Sequence, residues 1–292
     1  MRRFLALALL FCLVPRLAQA GPWVRRPGGL LVKAGFQYLS TDDRFAAVPG
    51  FDQESGGRFA SGDRTPFFFG GKNRTATWTL DAWLGLIRGW EAHGQIPVYR
   101  STFTDTANPN RPASSGFGDL RLSLKRRVTQ GPIATAVEVG VKAPTGKSQG
   151  FGDSEVVPLG EGQWDAEVIG HLGHSFWPVP AYAEASAGYR VRGKNDANGF
   201  DPGDEWLGTA AVGGHLGLSR FDVRLGWDWL YGRTTEAAGV TLDQRREFMS
   251  LGPTVGYRVS PGVRLESGVR IALRGQDYPA GVTWSFGVTA QN

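Results

Sequence analysis

Residues 221–231 alternate so strictly that they limit what this chain can become. Phe221, Val223, Leu225, Trp227, Trp229 and Tyr231 fall on one face of an extended strand. Asp222, Arg224, Gly226 and Asp228 fall on the other, with Leu230 the only apolar residue among them. A period of two places these sets on opposite sides of a sheet. The pattern returns in 262–274, where Val263, Leu265, Val269, Ile271 and Leu273 oppose Arg264, Glu266, Arg270 and Arg274. It returns again in 119–128, where Leu120, Leu122 and Leu124 oppose Asp119, Arg121, Ser123, Lys125 and Arg127, and in 30–39, where Leu30, Val32, Ala34, Phe36 and Tyr38 oppose Lys33, Gly35 and Gln37. A soluble sandwich buries its apolar faces in protein, whereas a membrane barrel turns them to lipid and turns the charged faces to its lumen. About 9–11 residues suffice for a tilted membrane-spanning strand, and these runs match that length.

Helical spans are excluded, because nothing after residue 20 approaches 18 uninterrupted apolar residues. A membrane protein of this kind must then close as a barrel. The first 20 residues read as a secretory signal peptide: Arg2 and Arg3, an apolar run from Phe4 to Val14, and Ala18-Gln19-Ala20 as the cleavage pattern. Arg2-Arg3 lacks the flanks of a twin-arginine signal, and Cys12 follows the bulky Phe11 where a lipoprotein signal has a small residue. Cleavage removes the only cysteine, and with it any disulfide or thiolate chemistry in residues 21–292. It also removes three arginines and no acid, lowering the formal charge from +5 to +2. With both signs mixed throughout, the concentrated basic face that nucleic acid requires is missing. No Pro/Ser-rich linker divides residues 21–292, which are expected to form a single domain.

The full reading is an all-β, antiparallel up-and-down transmembrane barrel of twelve strands. They are expected near 29–40, 74–87, 90–103, 116–128, 132–144, 164–176, 180–192, 205–218, 221–231, 247–259, 262–274 and 281–289. Connections alternate in length. Short turns fall at 88–89, 130–131, 177–179, 219–220 and 260–262; longer loops fall at 41–73, 104–115, 145–163, 193–204, 232–246 and 275–280. Outer-membrane barrels have short periplasmic turns and longer extracellular loops, so both chain ends are expected on the periplasmic side. Trp90, Trp177 and Phe221 near short turns, and Tyr38, Trp206, Trp229 and Tyr231 near long loops, suit two interfacial girdles.

Gly116-Phe117-Gly118-Asp119-Leu120 opens a strand, and Lys142-Ala143-Pro144-Thr145-Gly146 closes the next. Gly160-Glu161-Gly162-Gln163-Trp164-Asp165, Gly188-Tyr189-Arg190-Val191-Arg192 and Pro202-Gly203-Asp204-Glu205 follow in order. Across roughly residues 75–290 this series resembles the outer-membrane family named for the MetA pathway of phenol degradation. The resemblance, to a family described as transporters, implies an outer-membrane barrel in a Gram-negative cell envelope and a link to aromatic-compound catabolism, and supplies no catalytic residues. The chain departs from a common barrel pattern at its end, where Val288-Thr289-Ala290-Gln291-Asn292 replaces a terminal aromatic and Phe286 lies six residues inward.

Two regions are candidates for function. The first is the lumen, where Arg264, Arg270 and Arg274 share a face with Glu266, and Arg224, Asp228, Arg121 and Lys125 also point inward. Two readings are open there. The charges form a structural ion-pair network that seals the interior, or they line a path that selects small solutes. The second region is loop 41–73, with Phe45, Phe51, Phe59, Phe67, Phe68 and Phe69. It is read as an apolar vestibule for aromatic or hydrophobic compounds, the alternative being that Phe67–Phe69 extend the second strand into the girdle. Enzyme activity is not expected: His93, His171 and His215 point inward, and outward-facing His174 has no serine placed beside it as a nucleophile. No cofactor or metal is expected. The anticipated partners are the lipid bilayer and lipopolysaccharide, the barrel-assembly machinery and a small solute.

Overall fold

The computed structural model describes residues 21–51, 56–106, 109–110, 112–147, 157–196, 199–216, 220–237, 240–242 and 245–292. The expected signal peptide, residues 1–20, and Ser219 of one expected turn lie outside the described residues.

Twelve strands form the wall: β1 (Leu30–Thr41), β2 (Lys72–Gly85), β3 (Trp90–Thr104), β4 in two segments (Ser114–Phe117 and Leu120–Thr129), β5 (Ile133–Ala143) and β6 (Asp165–Ser175). They continue with β7 (Ala181–Arg192), β8 (Glu205–His215), β9 (Phe221–Gly232), β10 (Glu247–Ser260), β11 (Val263–Gln276) and β12 (Val282–Gln291). Each pairs antiparallel with its sequence neighbours. β1 pairs with both β2 and β12, as in Phe36 opposite Trp78 and Phe36 opposite Phe286, so the sheet closes without an edge. Closure satisfies every wall strand on both sides. At the seam the Asn292 side chain accepts from the Leu30 N–H at 2.8 Å. The final strand runs on to Gln291, so Ala290 holds the last outward position on it.

The barrel is inverted relative to a water-soluble core. Its exposed outer residues include Leu122, Val139, Val168, Leu225, Trp227, Val255 and Trp284, whereas Glu205, Ser250, Glu91, Gln163, Lys142 and Asp165 are buried. Alternation accounts for this directly, since each strand sends one face out and the other in. In β7 and β8 small residues accommodate large neighbours across the sheet. A Cβ on Gly208 would lie 2.4 Å from the Trp229 ring nitrogen, and one on Gly213 would lie 2.7 Å from the Tyr182 hydroxyl and 2.8 Å from its ring. The Ala- and Gly-rich sequence of these strands is thus the complement of the aromatics beside it.

Two departures from regular pairing matter for the interior. β4 breaks at Gly118-Asp119, where the register against β3 shifts by one residue. β11 carries a second irregularity: Ser250 pairs with Ala272, but Met249 pairs with Arg274. Ser250 is fully buried and faces inward, so its neighbour Met249 faces outward, and Arg274 opposite Met249 does the same. Arg274, expected in the lumen, is therefore an exposed residue of the outer rim.

The described parts of loop 41–73 carry short paired strands. Asp43–Phe45 pairs with Arg64–Pro66 and with Tyr278–Ala280 in a small sheet above the wall, and Gly50–Phe51 pairs with Arg58–Phe59. At the opposite end, residues 21–29 run inside the barrel from β1 toward β6 and β7. Pro22 is fully buried against Gly173. Trp23 meets Tyr182 edge-on at 5.9 Å, and Arg25 reaches Glu91 at 2.9 Å.

Gly188 tests the closeness of the wall, because a Cβ there would lie 2.5 Å from the Val168 carbonyl and 3.1 Å from the Ile169 Cα. Backbone cannot swing aside as a side chain can, so Gly188→Ala is expected to destabilise the folded barrel by about 1–3 kcal/mol. Urea unfolding followed by the heat-modifiable shift on gels would measure it. A loss below about 0.5 kcal/mol, the usual size for an indifferent surface change, would mean the strands are not that close.

Candidate functional site

The interior holds two clusters of charge. The first lies at the long-loop end of β4–β8. Lys142 at the end of β5 brings its ammonium to Asp119 at 3.1 Å, Glu161 at 2.5 Å and Asp165 at 3.0 Å, one acid for each of its three N–H donors. Arg192 at the end of β7 reaches Glu161 at 2.6 Å and Glu205 at 2.9 Å. Arg190 joins Glu205 and Glu167, each at 2.8 Å, and Arg121 stands 3.8 Å from Glu167. Arg246, just before β10, adds Glu205 at 2.6 Å and Glu161 at 3.0 Å. Five cations thus face five acids, and the cluster is close to neutral.

Local geometry delivers these groups. Gly118 lies flat against Tyr99, with no room for a Cβ, which would fall 2.2 Å from the ring. The break there turns Asp119 inward, where its carboxylate accepts from the Gly146 and Glu161 N–H groups, each at 3.0 Å. Thr145 donates to the Gly118 carbonyl and accepts from the Leu120 N–H, both at 2.9 Å. Gly146 and Gly160 then touch backbone to backbone, since a Cβ on Gly146 would lie 2.8 Å from the Gly160 Cα. Both described ends of the 145–163 loop are pinned to Asp119, and Glu161 is carried over the lumen. The five glycine-rich segments that resemble the phenol-pathway family therefore meet at one place. Burial alone would raise the pKa of Glu161, but Arg246, Arg192 and Lys142 outweigh it and hold the carboxyl far below its ordinary range. Burial would lower Arg246, and Glu205 and Glu161 reverse that.

The second cluster lies toward the short-turn end and walls a cavity of about 410 Å³ between β1–β3, β7 and β9–β12. Arg264 binds Asp222, through Nε at 3.0 Å, and Glu266 at 2.9 Å. Lys33 pairs with Glu266, and Arg224 with Glu184 at 3.1 Å. Arg258 sits opposite Arg264 in the sheet but turns to His215 at 3.3 Å. Asp81 accepts from Gln95 at 2.8 Å and meets His93 at 3.2 Å. Lys125 pairs with Glu91 at 2.8 Å and holds the Gly21 carbonyl at 3.2 Å. Trp83, stacked on His93 at 4.4 Å, gives this cavity an aromatic wall.

Of the lumen residues expected from sequence, Arg264, Glu266 and Arg224 line the cavity. Lys125 pairs with Glu91 beside it, Arg121 belongs to the first cluster, and Asp228 accepts from Ser250 at 3.3 Å. Arg270 turns to the Phe248 ring at 5.7 Å, and Arg274 leaves the lumen, so the three arginines of β11 do not converge. The histidines also separate: His171 joins Glu138 at 3.0 Å, and outward His174 meets the Pro132 carbonyl at 2.6 Å. Among the described residues no group of three or more His, Cys, Asp or Glu is placed to hold a metal ion.

The six phenylalanines of loop 41–73 divide. Phe45 is buried beside Gly275 together with Ala46 and Ala47, and Phe67 packs edge-on against Phe103 at 5.2 Å. Phe59 meets Phe68 at 6.4 Å, with the Arg44 guanidinium over Phe68 at 4.3 Å. Arg58 covers Phe51 at 5.2 Å. Phe51, Phe68 and Phe69 remain exposed. Glu161, Glu205 and Arg246 were absent from the expected site. Glu161 and Arg246 lie in connections, where period-two alternation assigns no direction.

Two changes test the cluster. Glu205→Gln leaves Arg190, Arg192 and Arg246 without their shared carboxylate and is expected to cost about 3–5 kcal/mol of folding stability, measured by urea unfolding. Glu161, depressed in the folded state, contributes stability that is present above its unfolded pKa of about 4.3 and is lost as pH falls through the folded value. The melting temperature should thus fall more steeply below about pH 4 in the parent than in Glu161→Gln. Parallel profiles would remove Glu161 from the cluster.

Comparison with known structures gives an outer membrane channel from Pseudomonas putida F1, 13% identical, with a TM-score of 0.72 over 95% of this chain and 100% of that one. A NanC porin is 10% identical at 0.49, covering 89% and 98%. A CymD monoaromatic hydrocarbon channel is 10% identical at 0.45, covering 92% and 89%. A search of curated proteins finds no match. A family model described as "Putative MetA-pathway of phenol degradation" matches residues 49–287, and the chain belongs to that family.

Proposed function

We propose that the protein is a passive outer-membrane channel for small aromatic or hydrophobic compounds, inserted with its short turns toward the periplasm and its long loops outside. The observation that carries this reading is the 410 Å³ cavity within the barrel, a size in the range of about 300–1,000 Å³ common to small-molecule sites. Its cations are paired with acids or turned to neighbours, so no strong field selects an ion, and Trp83 and Tyr182 add aromatic lining for a neutral solute. Family membership and the likeness to an outer membrane channel support the same reading. Exposed Phe51, Phe68 and Phe69 at the outer mouth supply an apolar surface on which such a compound first settles. The role is passage, with no bond made or broken. The bilayer, lipopolysaccharide and the barrel-assembly machinery are its partners in this reading.

A second reading has its own support. Residues 21–29 cross the short-turn end, and the ion pairs around Glu161 occupy the long-loop end. A barrel closed at both ends would be a structural or surface-binding protein. Single-channel recording of the refolded protein in a planar bilayer separates the two. Steady openings that phenol blocks are expected. A folded but silent barrel would favour the closed reading. The lipid-facing assignment is tested separately: Leu225→Arg, near the middle of β9, should cost about 2–4 kcal/mol when unfolding is measured in phosphatidylcholine vesicles. A negligible cost would take that face out of hydrocarbon.

A further inference from the structure

The outer wall carries a pocket that passage through the lumen does not use. Tyr189, Trp206 and Tyr231 stand directly opposite one another on β7, β8 and β9. All three point outward at the long-loop end, and the Tyr189 and Trp206 rings lie 4.8 Å apart at 59°. Arg233, Thr234 and Arg245 complete a cavity of about 660 Å³ over this row. The Arg245 guanidinium donates to the Tyr231 hydroxyl at 2.8 Å, which fixes one cation above the aromatic floor. Asp204, an acid beside the pocket, accepts from the Tyr189 hydroxyl at 2.8 Å and from the Arg192 N–H at 2.9 Å. Its carbonyl accepts from the Arg233 N–H at 2.8 Å, which sets the backbone of the second arginine.

Below the pocket the wall forms a shallow trough. The outward residues next in line on β7 and β8 are Ala187, Ala185, Gly208 and Ala210, paired Ala187 with Gly208 and Ala185 with Ala210. Trp229 covers Gly208, so the trough runs along Ala187 and Ala185, both exposed. Two guanidiniums, an aromatic shelf and a small-residue channel leading toward the membrane midplane thus follow one another along the wall. Guanidiniums bind phosphate oxygens in pairs, aromatic rings with polar tips suit the membrane interface, and a trough of small side chains admits an extended acyl chain.

We infer that this pocket binds a phosphorylated lipid of the outer leaflet, the lipid A portion of lipopolysaccharide. Arg233 and Arg245 take its phosphate, and an acyl chain lies along Ala187 and Ala185. The inference rests on the outer-membrane orientation proposed above. It goes beyond that reading in assigning a site on the outside of the wall.

The test uses the full protein refolded from lipopolysaccharide-free inclusion bodies into detergent, with a chelator present to exclude bridging divalent cations. Native mass spectrometry is followed while bisphosphorylated lipid A, its dephosphorylated form or phosphatidylethanolamine is added. Lipid A should bind in preference to the other two. The Arg233→Gln and Arg245→Gln variants should each bind it about tenfold more weakly, the loss of one charge-assisted hydrogen bond. Arg126→Gln, at a cation–ring contact with Trp90 at the opposite girdle, should bind as the parent does. Equal binding by the parent and both pocket variants, or an equal loss in Arg126→Gln, overturns the site. Displacement of lipid A by millimolar inorganic phosphate alone makes it a free-phosphate site and overturns the lipid assignment. Flotation with vesicles reads the orientation's premise separately: a protein that binds lipid A in detergent but never inserts fails that premise and keeps the pocket.

Discussion

Everything in this structure depends on how a closed sheet fills an interior that is polar. Alternation sends charged residues inward on nearly every strand, and an unpaired charge away from water is costly. The chain meets that cost by concentrating its partners. Lys142 takes three acids, Glu205 takes three arginines, and Glu161 is brought over from a loop to join both groups. Because these contacts link β4 through β8 with the residue before β10, they fix the loops as well as the wall. The glycines that recur around them follow from the same demand. Gly118, Gly146 and Gly160 lie where backbone must approach backbone or ring for Asp119 to reach the loop N–H groups.

Much of the wall was legible in the sequence. Period-two alternation located all twelve strands, and the contrast of short turns with long loops gave the two ends, because both signals are local. Arg274 shows where local reading stops. A single irregularity beside Met249 reverses the facing of every residue beyond it, and nothing in the residues around 273 announces it. Glu161 and Arg246 show a second limit. Their direction is set by Asp119 and Glu205 from distant strands, so only the assembled fold reveals it. The ordered glycine motifs were the available signal, for they marked the segments that meet without telling how they meet.

The loop phenylalanines divide for a related reason. Hydrophobicity alone cannot distinguish a residue that stabilises its own loop from one left for a partner. Phe45 is covered once Asp43–Phe45 pairs with Tyr278–Ala280, and Phe67 once it packs against Phe103. Arg44 and Arg58 lie over Phe68 and Phe51, which keeps these rings beside water-facing charge at the mouth. What stays exposed is a smaller surface than six rings, held in place by the packing of the others.

Inside and outside then divide the chemistry between them. In the lumen arginine is matched by acid almost everywhere: Arg264 has Asp222 and Glu266, Arg224 has Glu184, and Arg192 has Glu161 and Glu205. Such matching leaves a cavity whose charges are largely balanced. At the outer rim, Arg245 leans on the Tyr231 hydroxyl and Arg233 is anchored through its backbone. A guanidinium bonded to a neutral hydroxyl, as Arg245 is to Tyr231, keeps more of its charge for an anion than one held between carboxylates. The same residue type thus stands between carboxylates in the interior and beside aromatic and backbone partners at the rim; strand parity sets the first arrangement, and the connection between β9 and β10 sets the second.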